Sequence, residues 1–192
     1  MDFILIKTFI TFIHFTGVAC GVGGATASDF LFFRAIKDKK ISQDEYNLLE
    51  TLSKVVGIGL GLFIVSGISF FILQYVELGT LTYITKEPFL AKLFIFSVLC
   101  IDAFIFAWYV LPKLRHAALE KKLTHIFSRH ALSFSIVGAV SIVSWYYILA
   151  LGAFRKINIL SFEHIVGVYA LIVCCASVVA YLLIRLYIRN VK

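Results

Sequence analysis

Few side chains in this sequence can do chemistry, and the most telling of them fall inside apolar runs. His14 and Asp102 each sit near the middle of such a run, with Lys7, Tyr109 and His164 nearer the ends of theirs. An imidazole can ligate a haem iron or another metal through one nitrogen, or pass a proton between its two. A carboxylate buried in lipid costs several kcal/mol unless it is paired, solvated or functional. His14 and Asp102 lie at similar depths in their runs, so a hydrogen bond between them would satisfy both groups or form part of a proton pathway. Tyr109, seven residues after Asp102, falls on roughly the same helical face and would extend that polar network together with Lys7.

The first run explains why His14 would face protein rather than lipid. Lys7, Thr11, His14, Gly17, Gly21, Ala25 and Ser28 recur in steps of three and four and form one stripe of a helix. Phe9, Phe12, Phe30 and Phe33 lie mostly elsewhere and suit lipid. Gly17 and Gly21 make a GxxxG pair that lets two helix backbones approach closely, and Gly57 and Gly61 repeat the device in the second run. These glycines serve helix packing, or they leave a slot for a flat ligand such as haem. Asp29 reads as an interfacial, solvated residue near the far end of the first run. Glu163 and His164 open the last run, where His164 shares a stripe with Gly167, Leu171 and Cys174; it reads as interfacial, as a second axial ligand, or as a metal ligand. His116, His125 and His130 lack a metal-binding spacing, and no metal site is expected. Cys20, Cys100, Cys174 and Cys175 form no CxxC and read as small buried hydrophobes.

The elements that must position these groups are membrane-spanning helices. The chain has 192 residues, 61% of them hydrophobic, against about 45–50% in soluble domains. The apolar residues come in blocks of about 20 or more, the length that crosses roughly 30 Å of hydrocarbon. Five spans are expected, at about 3–33, 55–78, 88–112, 131–154 and 160–184, as one all-α polytopic transmembrane bundle with no separate soluble domain. Ser42-Gln43-Asp44-Glu45 reads as a capping box that starts a helix running into the second span. Pro88 suits the first turn of the third span, and Pro112 its end.

The net charge of +7 comes from residues placed mainly between the spans, so topology explains it better than nucleic acid, which is not an expected partner. Thirteen Lys and Arg fall on one side and five on the other, Lys7, Lys86, Lys92, Arg155 and Lys156. The positive-inside rule then puts the N-terminus outside and the C-terminus in the cytoplasm, most simply across a bacterial cytoplasmic (inner) membrane. The segment 113–130 reads as a basic amphipathic stretch on the anionic inner leaflet. A cleaved signal peptide ending at Ala25-Thr26-Ala27 is disfavoured, because the residues before it carry no positive excess and cleavage would place the lysine-rich 34–54 segment outside. No Walker loop, HExxH, GxSxG or kinase motif occurs, and Met1 is the only methionine, against a methionine-rich Cu(I) pathway.

His14 within HFTGVACGVGGATASDFLFFRA, the Ser66-Gly67 step of VSGISFF, and Lys92 near the start of the third span together resemble the small membrane proteins grouped around copper resistance protein D. The resemblance covers roughly residues 8–116. The same architecture is similar to the HemJ-type protoporphyrinogen oxidase, whose first-span histidine is implicated in haem binding. That similarity implies His14 as an axial ligand of haem b, with His164 or Asp102 assisting. This chain departs from the copper resistance D pattern in lacking the tryptophan that commonly follows the histidine, and in its fifth span.

Three functions fit these residues. One is a haem-binding or redox-associated membrane protein acting through His14. Another is a proton-coupled or metal-ion transporter component using His14, Asp102 and Lys7. The third is a non-catalytic assembly or scaffold subunit, in which the glycine faces meet a membrane-complex partner or a second copy of the chain. In each, the lipid bilayer is the constant partner.

Overall fold

The computed structural model describes residues 3–38, 40–81, 85–120, 123–154 and 160–189. Among them every regular element is helical: α1 (Phe3–Asp38), α2 (Gln43–Leu78), α3 (Glu87–Ile105), a π-helical turn (Phe106–Val110), α4 (Leu111–Glu120), α5 (Leu123–Ala153) and α6 (Phe162–Arg189). Five continuous helical rods are long and apolar enough to cross a membrane: α1, α2, the α3–π–α4 unit, α5 from Arg129, and α6. The starts of α1, α3 and α6 and the ends of α2 and α5 share one face of the bundle, called the N-face below. The opposite face, which carries the α1–α2 connection and the end of α6, is the C-face.

Local signals set the helix ends. The Ser42 hydroxyl accepts the Glu45 amide N–H, while the Glu45 carboxylate accepts the Ser42 N–H, so the expected capping box is formed and α2 runs unbroken into its span. Gly79 closes α2 in the left-handed conformation, φ 66°, where its amide reaches the Tyr75 carbonyl. Pro88 lies in the first turn of α3, as expected. Pro112 does not end the third span. The helix continues through it into α4, and the turn before it widens so that the Leu111 N–H bonds to the Phe106 carbonyl, five residues back. A proline ring clashes with the carbonyl four residues before it, and a π turn immediately upstream relieves that conflict without breaking the rod.

α1 and α2 form the most extensive pairing, and their contact is backbone on backbone. A Cβ at Gly59 would lie 2.7 Å from the Gly21 nitrogen, and one at Gly17 3.0 Å from the Gly59 carbonyl oxygen. Gly17 and Gly21 thus pack as expected, but Gly57 and Gly61 do not. Both are exposed, with open space where a side chain would be. The helix turns by about 100° per residue, so Gly59 alone of the three lies on the contact face. Trp145 of α5 then fills the space over Gly21, whose added Cβ would collide with the indole ring.

Three apolar clusters stack along the bundle. Near the C-face, Ala35, Leu49, Val110, Leu114, Phe134 and Ile184 are buried together. In the middle lie Ala25, Leu60, Leu99 and Trp145. Toward the N-face, α3, α5 and α6 enclose Ala91, Ile95, Leu151 and Ile165. The basic segment expected at 113–130 is helical where described, in α4 and the start of α5, but Lys121 and Lys122 lie outside the described residues, as do Lys39, Arg155, Lys156 and Lys192 of the charge count.

Gly59→Ala is expected to lower thermal stability in detergent by about 1–3 kcal/mol through overpacking, and Gly57→Ala to leave it unchanged or slightly raised. Thermal unfolding of the two variants side by side checks the assignment of the contact face.

Candidate functional site

The polar residues singled out by sequence divide into separate places rather than one network. His14 lies on α1 against α2. Its Nδ1 is 3.0 Å from the Ser66 hydroxyl, and its ring meets Phe63 edge-on at 4.4 Å and Phe70 at 5.9 Å between centroids. The Ser66 hydroxyl donates its single proton to the Phe63 carbonyl, 3.1 Å away. In the tautomer that keeps this bond, the hydroxyl accepts from His14 and Nδ1 is the donor. In a neutral imidazole that leaves Nε2 unprotonated, with its lone pair free to accept a proton or a ligand. Ser66 itself is 1% exposed, so this hydrogen bond is fixed in the helix interface.

The expected His14–Asp102 hydrogen bond is not formed, because Asp102 faces a different level of α1. Asp102 follows Leu99 of the central cluster and precedes Phe106, which packs on the C-face cluster. On α1, the residue between the same two clusters is Asp29, flanked by Ala25 on one side and by Leu31 and Ala35 on the other. His14 and Asp29 are fifteen residues apart, about 22 Å along the helix at 1.5 Å per residue. Asp102 is 5% exposed and lies within electrostatic reach of Asp29. Oδ2 of Asp29 is buried and has no hydrogen-bond partner. Among the described residues, no Lys or Arg pairs with either carboxylate.

The sequence suggested a solvated Asp29, whereas its Oδ2 is covered by the bundle. α1 continues for nine residues past it to Asp38. The signal was present in the run Phe30-Leu31-Phe32-Phe33, which keeps the chain apolar beyond the carboxylate.

Two buried hydroxyls lie between α5 and α6, toward the N-face. Tyr169 of α6 and Ser144 of α5 are hydrogen-bonded to each other at 2.8 Å. Tyr169 is within electrostatic reach of Asp102. Neither residue stood out from the sequence, because a tyrosine and a serine in apolar helices have no distinguishing pattern until α5 and α6 bring them together.

The remaining expected residues lie elsewhere. Lys7 is exposed near the start of α1. Tyr109 sits in the π turn, where its hydroxyl is 3.2 Å from His130 Nδ1 and its ring lies under the Lys113 ammonium at 4.3 Å. The π turn adds a residue to one helical turn, so the seven-residue step from Asp102 no longer returns to the same face. His164 is exposed at the start of α6 and bonded to the Ser161 hydroxyl at 2.6 Å. It opens α6 on the N-face while His14 lies three turns into α1, so the two are not brought together as a ligand pair. Among the described residues, no three His, Cys, Asp or Glu side chains converge as a metal site.

A carboxyl group buried without a partner costs stability whichever protonation state it holds. Asp29→Leu is expected to raise unfolding stability in detergent by about 1–3 kcal/mol; an unchanged or lowered value would show that the carboxyl is satisfied.

No protein-family model, curated protein or solved structure matches this chain, so its function has to be argued from the geometry alone.

Proposed function

We propose that this protein handles protons within the membrane through Asp29 and Asp102, as a proton-translocating or proton-coupled transport component. The observation that carries the reading is the buried Oδ2 of Asp29 on α1, which has no hydrogen-bond partner among the described residues, together with the carboxyl of Asp102 on α3, 5% exposed and within electrostatic reach of Asp29. Ionisable residues at such depth are rare and mark ion or proton pathways. Two neighbouring carboxylates in an apolar layer repel each other, so the pair is most stable when it shares a proton or holds a small cation. Two carboxyl groups, joined among the described residues by no third His, Cys, Asp or Glu in a metal-binding cluster, match a proton or a monovalent cation better than a transition metal. The apolar clusters on either side would keep the site from becoming an open water channel.

The charge distribution supports a setting for this activity. With thirteen Lys and Arg on the C-face side against five on the other, the C-face would be cytoplasmic and the N-terminus outside, in a bacterial cytoplasmic membrane.

A second reading has its own observation. The Ser66 hydrogen bond orients the His14 ring and directs its free lone pair to Nε2, which is the arrangement of a histidine that ligates haem iron. In that reading His14 alone on this chain binds haem b, with His164 uninvolved, in keeping with the resemblance to HemJ-type proteins.

Purified protein in liposomes carrying an internal pH dye tests the first reading. Proton flux driven by a pH gradient should be present in the wild type and fall at least about tenfold in Asp29→Asn and Asp102→Asn. Equal flux in wild type, both variants and empty liposomes would sink it. For the second reading, protein from haem-supplied cells should show a Soret band that is lost in His14→Ala and retained in Asp102→Asn. A colourless, folded wild type would remove it.

A further inference from the structure

We infer that Lys113 and Arg129, set around the Tyr109–His130 contact, hold the phosphate of one anionic phospholipid where the third rod meets α5 on the C-face. The inference is independent of the carboxylate reading above.

The site is built from two helices. The Tyr109 hydroxyl, in the π turn, lies 3.2 Å from His130 Nδ1 on α5, and the two rings meet edge-on with centroids 6.0 Å apart. Lys113, one turn further along, brings its ammonium back over the tyrosine ring at 4.3 Å. Arg129 immediately precedes His130 and is exposed. Both helices leave regular geometry here. The third rod widens into its π turn over Phe106–Val110, and α5 is kinked at His130, with φ −119° and ψ 17°. Single π turns recur at functional sites.

The Tyr109–His130 hydrogen bond leaves a donor over whichever way it runs. If the tyrosine donates to Nδ1, a neutral imidazole carries its proton on Nε2. If Nδ1 donates instead, the tyrosine O–H is free. Lys113 and Arg129 add two full positive charges, and among the described residues no carboxylate pairs with either. A phosphodiester supplies the missing negative charge and accepts hydrogen bonds from all of these donors. A zwitterionic lipid brings its own ammonium, which finds no carboxylate partner among the described residues here.

Membrane depth selects a lipid as the source of that phosphate. Tyr109 is twenty-two residues beyond Glu87, where the third rod starts. That is about 33 Å at 1.5 Å per residue, close to the thickness of the hydrocarbon layer. The apolar span of α5 begins at Arg129. Both helices thus reach headgroup level at the same place. Trp108, 74% exposed and stacked on Phe104 at 5.3 Å, is an aromatic residue of the kind enriched at that level. Basic pockets between membrane helices at this depth bind anionic headgroups.

The protein carries its own reporter. Of its two tryptophans only Trp108 is exposed, since Trp145 is 2% exposed. The intact protein is reconstituted in phosphatidylcholine bilayers that contain a small fraction of acyl-brominated phosphatidylglycerol or, in parallel, acyl-brominated phosphatidylcholine. Quenching should show phosphatidylglycerol preferred beside Trp108 by about fivefold or more, the scale of one or two cations at a membrane surface. Lys113→Gln and Arg129→Gln should each lower that preference several-fold and together abolish it. Both replace solvent-facing charge by a polar side chain, and unchanged thermal unfolding confirms the fold. Arg185→Gln, which removes a C-face cation bound to Tyr181 on α6, should keep the preference. Equal quenching by the two lipids in the wild type overturns the site, as does a preference that survives the double variant. A loss in Arg185→Gln as large as in Lys113→Gln indicates diffuse attraction to the basic face and also overturns it. A preference abolished by inorganic phosphate, but not by chloride at the same ionic strength, assigns these groups to a free anion and overturns the lipid.

Discussion

The approach of α1 to α2 at Gly17, Gly21 and Gly59 constrains everything else in this bundle. Without a Cβ at these positions the two backbones meet directly, and dispersion forces between helices are strongest where the surfaces are closest. In lipid, helices gain little from hydrophobic burial against one another, so shape must supply the association. Gly21 also leaves the hollow that Trp145 occupies. The indole then touches the central cluster and stacks edge-on with Phe63 at 6.2 Å, and Phe63 in turn lies against Phe96 and His14. One close backbone contact thereby fixes the position of α5, the orientation of His14 and the level at which α3 docks.

That level determines which polar groups meet. With Leu99 and Cys100 held beside Trp145 and Leu60, Asp102 falls one turn below the central cluster and faces the Asp29 layer. A shift of α3 by about four turns would be needed to bring it to His14 instead. The bundle keeps its polar groups apart: an imidazole between α1 and α2, and the carboxyls of Asp29 and Asp102 at another level. Each is walled by aromatic or aliphatic side chains, so neither site is an extension of the other.

Much of the architecture could be read from the sequence because its determinants are local. Span length, the capping box at Ser42 and the small stripe through Gly17 and Gly21 all follow from composition and spacing over one or two turns. The failures share a cause as well. Gly57 and Gly61 form as good a GxxxG as Gly17 and Gly21, and only the rotation of α2 against its neighbour selects Gly59. Tyr109 left the Asp102 face because a π turn, prompted by Pro112, broke the helical repeat. Asp29 looked fully solvated because nothing within α1 alone shows that its Oδ2 is covered. Depth in a membrane bundle is a property of inter-helix register, and one chain read alone carries no register. The same limit hid Ser144 and Tyr169, which become a pair only across two helices.

The layer that holds Asp29 and Asp102 also has an electrical meaning. Asp102 lies fifteen residues into the third rod, about 22 Å from its start at 1.5 Å per residue, with apolar clusters above and below. In a bilayer spanned by this rod, a charge placed there would have crossed part of the low-dielectric slab over which the transmembrane voltage falls. Carrying one elementary charge through the whole field is worth about 2.3 kcal/mol per 100 mV, and under the proton-handling reading loading this site from one face would draw on part of that. The charge state of the carboxylates would then respond to membrane potential as well as to proton concentration.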